Sequence, residues 1–200
     1  EELNKIRYQY TSYEEADKYK KNVLKPQLEE IQLEINKQIT DNELIVKSFE
    51  QTILDIHEEV MGNKEASFDI KTKNSSSVKD YIEFEMRIDD DGSHSIERTK
   101  VFIYDVALLF NENTSKRHPK FLIHDNIFDV DQDTLVQCLN FLSKKEEQYP
   151  NDFQYILTIN RDKIENEERE KLIHINILEH RRANFTKENR FLKSKYQEHK

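Results

Sequence analysis

Glycine and proline are scarce in this chain: Gly62 and Gly92 are the only two glycines among 200 residues, with Pro26, Pro119 and Pro150. Such a shortage of turn formers argues against an all-β sandwich. The single cysteine, Cys138, excludes an internal disulfide framework and a Cys-rich zinc site, and fits a reducing, cytoplasmic compartment. Long apolar runs are also missing. The most apolar stretch, Val101 to Phe110, is too short to span a bilayer and contains Asp105. Nothing resembles a signal peptide. The first residue is Glu1 rather than Met, so a fragment of something longer is expected.

What is abundant is charge. Hydrophobic and charged residues each make up 36% of the chain, and mean hydropathy is −0.92. That is too polar for one compact globule of this length, so part of the chain is expected to be a solvated helical rod. The net charge of −9 disfavours nonspecific nucleic-acid binding by the whole surface. Arg181 to Lys200 departs from this balance, with seven Lys/Arg against Glu188 and Glu198. That tail fits either phosphate contact or a solvated terminal helix.

Apolar residues at Leu24, Leu28, Ile31, Ile35, Ile39, Val46, Phe49, Ile53, Ile56 and Val60 alternate spacings of three and four. This is a heptad stripe with a stutter near Ile35 to Ile39 and Asn42 in one seam position. Gly62 ends it as a C′ residue would, and Pro26 marks a break or kink. A helix of this length needs either a partner helix or its own domain to cover the stripe. Residues 1–61 are therefore expected to be a coiled-coil arm, and 62–200 an α/β unit.

Beyond Gly62 the period falls to two. Ala66, Phe68 and Ile70 alternate with polar residues, and Ile82, Phe84, Met86 and Ile88 share one face of a second segment, predicting a half-buried antiparallel pair. Ser95 is the expected cap of a helix running to about Leu109. Strands are predicted over Phe121 to His124 and Phe153 to Ile159, flanking a helix from Thr134 to Lys145. Ile173, Ile175 and Ile177 suggest a further strand. Residues 165–170 read as helical, and Thr186 is placed to cap a final helix over 187–197.

The chemistry concentrates in Lys120-Phe-Leu-Ile-His-Asp-Asn-Ile-Phe-Asp-Val-Asp131 and Tyr155-Ile-Leu-Thr-Ile-Asn160. Each is an apolar run ending in a polar residue, which is how an α/β sheet presents ligand-binding groups outside its strands' carboxyl ends. Asp125 is placed where a carboxylate can hold Mg²⁺ beside a triphosphate, or else cap a neighbouring helix. Asn126 can hydrogen-bond a water but cannot take its proton. A calcium loop over Asp129, Asp131 and Asp133 fails, because its sixth position is Thr134 and its twelfth Asn140. His124-Asp125 lacks the second His cluster of a metal phosphohydrolase, and a nuclease built on Asp125 and Asp129 lacks a Lys or Glu at suitable spacing. No G-x-x-x-x-G-K-[S/T] occurs, so the chain alone is expected to bind ATP weakly or not at all.

Taken together, Pro119-Lys-Phe-Leu-Ile-His-Asp-Asn, Phe128-Asp-Val-Asp131 and Tyr155-Ile-Leu-Thr-Ile-Asn160 resemble the carboxy-terminal lobe of an SMC/RecN/RecF-like ATPase head. They are most similar to a sparsely characterised bacterial family of coiled-coil ATPases with His-Asp-Ser in place of Asp-Glu. The resemblance covers roughly 41–195. It implies the second half of an ABC/SMC-type P-loop head, a mixed sheet with flanking helices, joined to a long amino-terminal coiled-coil helix. It further implies that Asp125 is the Walker B aspartate supporting Mg²⁺, that Asn126 replaces the catalytic glutamate, and that Asn160 occupies the switch position. Asp131 would be the D-loop residue. Gly92, Ser93 and Ser95 would form the signature loop, although the usual Ser-Gly-Gly-Glu is absent. Mg²⁺ and ATP would bind only in the complete head. Its partners would be a P-loop lobe, a second head and DNA reached through the assembly, in repair, recombination or defence against phage. The rival expectation is a non-enzymatic coiled-coil scaffold.

Overall fold

The computed structural model describes residues 2–73, 81–88, 92–127, 132–164, 171–186 and 188–189. Helix α1 (Glu2–Tyr19), a π-helical turn (Lys20–Leu24) and α2 (Lys25–Asp41) follow one another without a non-helical residue. Pro26 accounts for the wide turn. Its ring has no N–H and would clash with the carbonyl four residues back, so the ladder widens and Lys25 N–H reaches the Lys20 carbonyl five residues away. The proline thus perturbs the helix without ending it.

Asn42 interrupts it instead, at φ −107° and ψ 20°. Its side-chain amide donates to the Gln38 carbonyl at 2.8 Å, competing with the helical ladder. Helix α3 (Glu43–Met61) then runs to Gly62, whose left-handed φ of 72° is the C′ conformation expected there. The heptad stripe is covered unequally. Phe49, Ile53, Ile56 and Val60 on α3 are buried, whereas α1 and α2 bury no residue at all. Leu24 and Ile31 remain 47% and 45% exposed. No described helix is long and apolar enough to cross a membrane.

The strands differ from the single mixed sheet expected from the sequence. They form two small sheets: β1 (Ala66–Thr72) antiparallel to β2 (Ile82–Ile88), and β3 (Phe121–His124) parallel to β4 (Gln154–Leu157). Helix α4 (His94–Phe110) separates them. Residues two apart on a helix point about 200° apart, and α4 uses this. Tyr104 meets Phe49, Phe68 and Phe84 on the hairpin side, while Phe102 meets His124, Tyr155 and Phe141 on the other. Helix α5 (Gln132–Gln148) buries Leu135, Leu139 and Leu142 in the same core, as its stripe predicts. The apolar face of β2 is covered at one end only. Ile88 is buried, but Ile82 and Phe84 are exposed.

Two local expectations are corrected. Ser93, not Ser95, caps α4: its hydroxyl accepts from Ile96 N–H at 3.2 Å, while Ser95 lies inside the first turn. Residues 171–176 form no strand, although Ile173 is buried. Asn140 of α5 takes the place of a neighbouring strand, its side-chain amide donating to Leu172 O at 2.9 Å and its carbonyl accepting from His174 N–H at 2.8 Å. Asn176 then caps a short helix, α6 (Ile177–His180). Thr186 accepts from the Glu188 and Asn189 amides, as a cap would, but the helix expected after it lies outside the described residues, as does that over 165–170.

Candidate functional site at the carboxyl ends of β3 and β4

Strand β3 ends at His124, and the next residues reverse sharply, with Asn126 in the left-handed region at φ 53°. Asparagine tolerates that conformation better than most side chains. Asp125 and Asn126 therefore stand outside the carboxyl ends of the parallel pair, both exposed. The residue that holds them is Thr158, one beyond β4. Its hydroxyl donates to Asp125 Oδ1 at 2.5 Å and accepts from Asn126 N–H at 2.9 Å, and its own N–H donates to the His124 carbonyl at 3.0 Å. Three hydrogen bonds thus tie the two strand ends together.

Helix α4 reaches the same point. The Arg98 guanidinium donates to the Asn126 carbonyl at 3.1 Å, placing the amino-terminal half of α4 on the carboxyl-end side of β3 and β4. Ser93 is five residues earlier on that helix, roughly 7.5 Å along its axis. Gly92 precedes it with φ 123°, a conformation side chains rarely adopt. Ser95 is engaged through its carbonyl, which accepts from Thr99 Oγ1 at 3.1 Å. Asn160 is exposed two residues past Thr158 and accepts from Lys163 N–H at 3.0 Å, opening a short 3₁₀ turn (Arg161–Lys163). Thr158, rather than Asn160, is the β4-end residue bonded to Asp125. Asp129 and Asp131 lie outside the described residues.

Behind the exposed cluster is a partly buried one, centred on His124. His124 Nε2 lies 2.9 Å from Asp105 Oδ2 and Nδ1 lies 2.6 Å from the Tyr155 hydroxyl. A carboxylate can only accept, so Nε2 carries a proton, and Nδ1 shares the other bond with the Tyr155 hydroxyl. Burial, reinforced by the Cys138 thiol and the Asp105 carboxylate, pushes the Tyr155 phenol far above its ordinary range. It stays protonated.

Among the described residues no three His, Cys, Asp or Glu side chains are grouped as a metal cage. Asp125 alone fits only an ion that takes its other ligands from water and phosphate, which is how Mg²⁺ is commonly held. Sequence reading passed over Thr158, Arg98, Asp105 and Tyr155. The one usable signal was Asp105, the sole charge in Val101 to Phe110.

Comparison with known proteins gives one family. Residues 51–196, nearly three-quarters of the chain, match the family described as an uncharacterised protein conserved in bacteria (DUF2326), and the chain belongs to it. No curated protein matches the sequence.

Proposed function

We propose that this member of the bacterial family is the carboxy-terminal lobe of an SMC-like ATPase head, supplying a signature loop, a Walker B carboxylate and a switch residue for ATP-gated association of two heads. The observation that carries this reading is Asp125 and Asn126 standing outside the carboxyl ends of a parallel strand pair, with α4 bonded to the Asn126 carbonyl through Arg98. Asp125, steadied by Thr158, would hold Mg²⁺ or its waters; the ion would neutralise phosphate charge. Asn126 orients water without accepting a proton, so engagement of heads is favoured over rapid hydrolysis. Asn160 takes the γ-phosphate-sensing role, and Ser93 with Gly92 and Ser95 faces nucleotide held by the opposite head. Asp131 completes the dimer contact. DNA repair, recombination or defence against phage is the setting this reading implies.

The β3–β4 pair supports a missing lobe. Parallel sheets are ordinarily covered on both faces. Here Leu122, His124, Tyr155 and Leu157 face α4 and α5, while Phe121, Ile123 and Ile156 on the other face are 40%, 55% and 41% exposed. Added strands and helices carrying the phosphate loop would complete that sheet. The exposed stripe of α2 favours a second reading, a coiled-coil scaffold without nucleotide chemistry.

The test is to combine this chain with the P-loop lobe encoded by its full reading frame and measure Mg-ATP binding and head association. Binding is expected from the combination and not from the chain alone, and Asp125→Ala is expected to abolish the response. Tight ATP binding by the isolated chain would overturn the reading. An unchanged response in Asp125→Ala would favour the scaffold.

A further inference from the structure

We infer that Asp105, His124 and Tyr155 form a positioning chain that fixes the longitudinal register of α4 on β3 and β4, and thereby the place of Arg98 beside Asn126. Phe102 of α4 packs against the His124 and Tyr155 rings of this sheet. Apolar contact is non-directional, so on its own it leaves a helix able to settle at neighbouring registers. Directional bonds centred on the buried His124 ring remove that freedom, as a single polar residue does in a coiled-coil seam.

The spacing supports the assignment. Asp105 and Arg98 are seven residues apart, two turns along one face of α4. Asp105 accepts from His124, and Arg98 donates to the carbonyl of Asn126. One helix face is therefore pinned at two points to one strand end, on either side of Asp125. Tyr155 extends the chain to β4, whose next turn provides Thr158. Three elements that approach the site from different parts of the sequence are linked through one imidazole. Among the described residues the His124 ring bonds Asp105 and Tyr155 and not Asp125 or Asn126, so it is a positioning residue. The consequence for nucleotide rests on the proposed function; the register itself does not.

The inference is tested on the full chain without nucleotide, by amide hydrogen exchange in native conditions. Tyr155→Phe removes the hydroxyl that bonds Nδ1, and Asp105→Leu removes the acceptor that bonds Nε2. Both are expected to speed exchange of the Asn126 and Thr158 amides about tenfold while leaving Leu139 in α5 unchanged, since local openings are separable from global ones. Equal acceleration at Leu139 and Asn126, or none at Asn126, would overturn it. A second measurement needs no variant: nitrogen-15 spectra of the imidazoles should show His124 protonated at Nε2. The opposite tautomer would refute the chain. Because neither readout involves ATP, failure here is distinct from failure of the ATPase reading.

Discussion

Thr158 stands between Asp125 and the backbone of Asn126, giving its proton to the carboxylate at 2.5 Å and receiving the amide at 2.9 Å. Replacing it with Val removes both bonds and leaves the shape. The site is exposed, so water substitutes in part, and a loss of about 1 kcal/mol is expected in urea unfolding. Thr158→Ser keeps the hydroxyl and should restore nearly all of it. If Val and Ser behave alike, the hydroxyl does not organise the strand ends.

Asn111 makes a costlier set of bonds. Only 3% exposed, it donates through its side-chain amide to Thr52 Oγ1 at 2.9 Å and towards the Ser48 carbonyl and hydroxyl at 3.1 Å, and accepts from Asn113 N–H at 3.0 Å. It thereby locks the end of α4 onto α3. Asn111→Leu removes these bonds, although the Thr52 hydroxyl still donates to the Ser48 carbonyl at 3.0 Å and the Ser48 hydroxyl still accepts from Asn113 Nδ2 at 3.3 Å, so about 1–2 kcal/mol of destabilisation is expected by denaturant titration. Ser48→Ala, which keeps the backbone carbonyl, should cost much less.

Alkaline pH should unfold the protein through its phenols. Burial raises Tyr155 strongly and Tyr104 more modestly above the usual value of 10.0. A raised phenol means that the folded state holds its proton after the unfolded chain has released it. That stability is complete below about pH 10 and is lost as pH rises further. Lys145 acts in the opposite direction, since burial lowers it from 10.5 and its penalty disappears as the amine deprotonates. Tyr155 has the larger shift, so a net decline above pH 10 is expected, read as loss of far-UV signal. Tyr155→Phe should flatten that decline; an unchanged slope would place its origin elsewhere.

The core was legible where one element decides its own burial. Leu135, Leu139 and Leu142 on α5, and Phe49 through Val60 on α3, carry their stripe in the sequence and are buried accordingly. The stripe of α2 looks the same on paper, yet nothing in residues 24–41 says whether a partner lies beside it. Sheet membership was harder for a different reason. The alternation in Ala66 to Ile70 and the apolar run before Asp125 identify strands, but α4 decides that they belong to separate sheets, through Phe102 and Tyr104 pointing apart. At the site, Asp125 was visible because a charge ends an apolar run. Thr158, Arg98 and Tyr155 acquire their roles only from neighbours about 28 to 33 residues away in the chain. No local pattern announces such pairs. The stretch Ile173 to Ile177 misled because alternation requires only an extended backbone, and Asn140 satisfies that backbone with a side chain.

The outer face of β3 and β4 gives the sharpest separation between folding and assembly. Ile123 and Ile156 are register partners, 55% and 41% exposed, so replacing Ile123 with Lys removes little buried contact from this chain. A change within about 0.5 kcal/mol is expected for Ile123→Lys in isolation, as for exposed substitutions generally. In a completed head the same position would lie under helices of the P-loop lobe, where an unpaired ammonium is strongly disfavoured. Ile123→Lys should therefore leave the melting temperature of the chain almost unchanged yet prevent its co-purification with that lobe. Gln154 faces the same side but is already polar, so Gln154→Lys supplies a control for charge alone. If Ile123→Lys assembles as well as the unaltered chain, the proposed P-loop lobe does not cover this face, and the exposed isoleucines need another explanation.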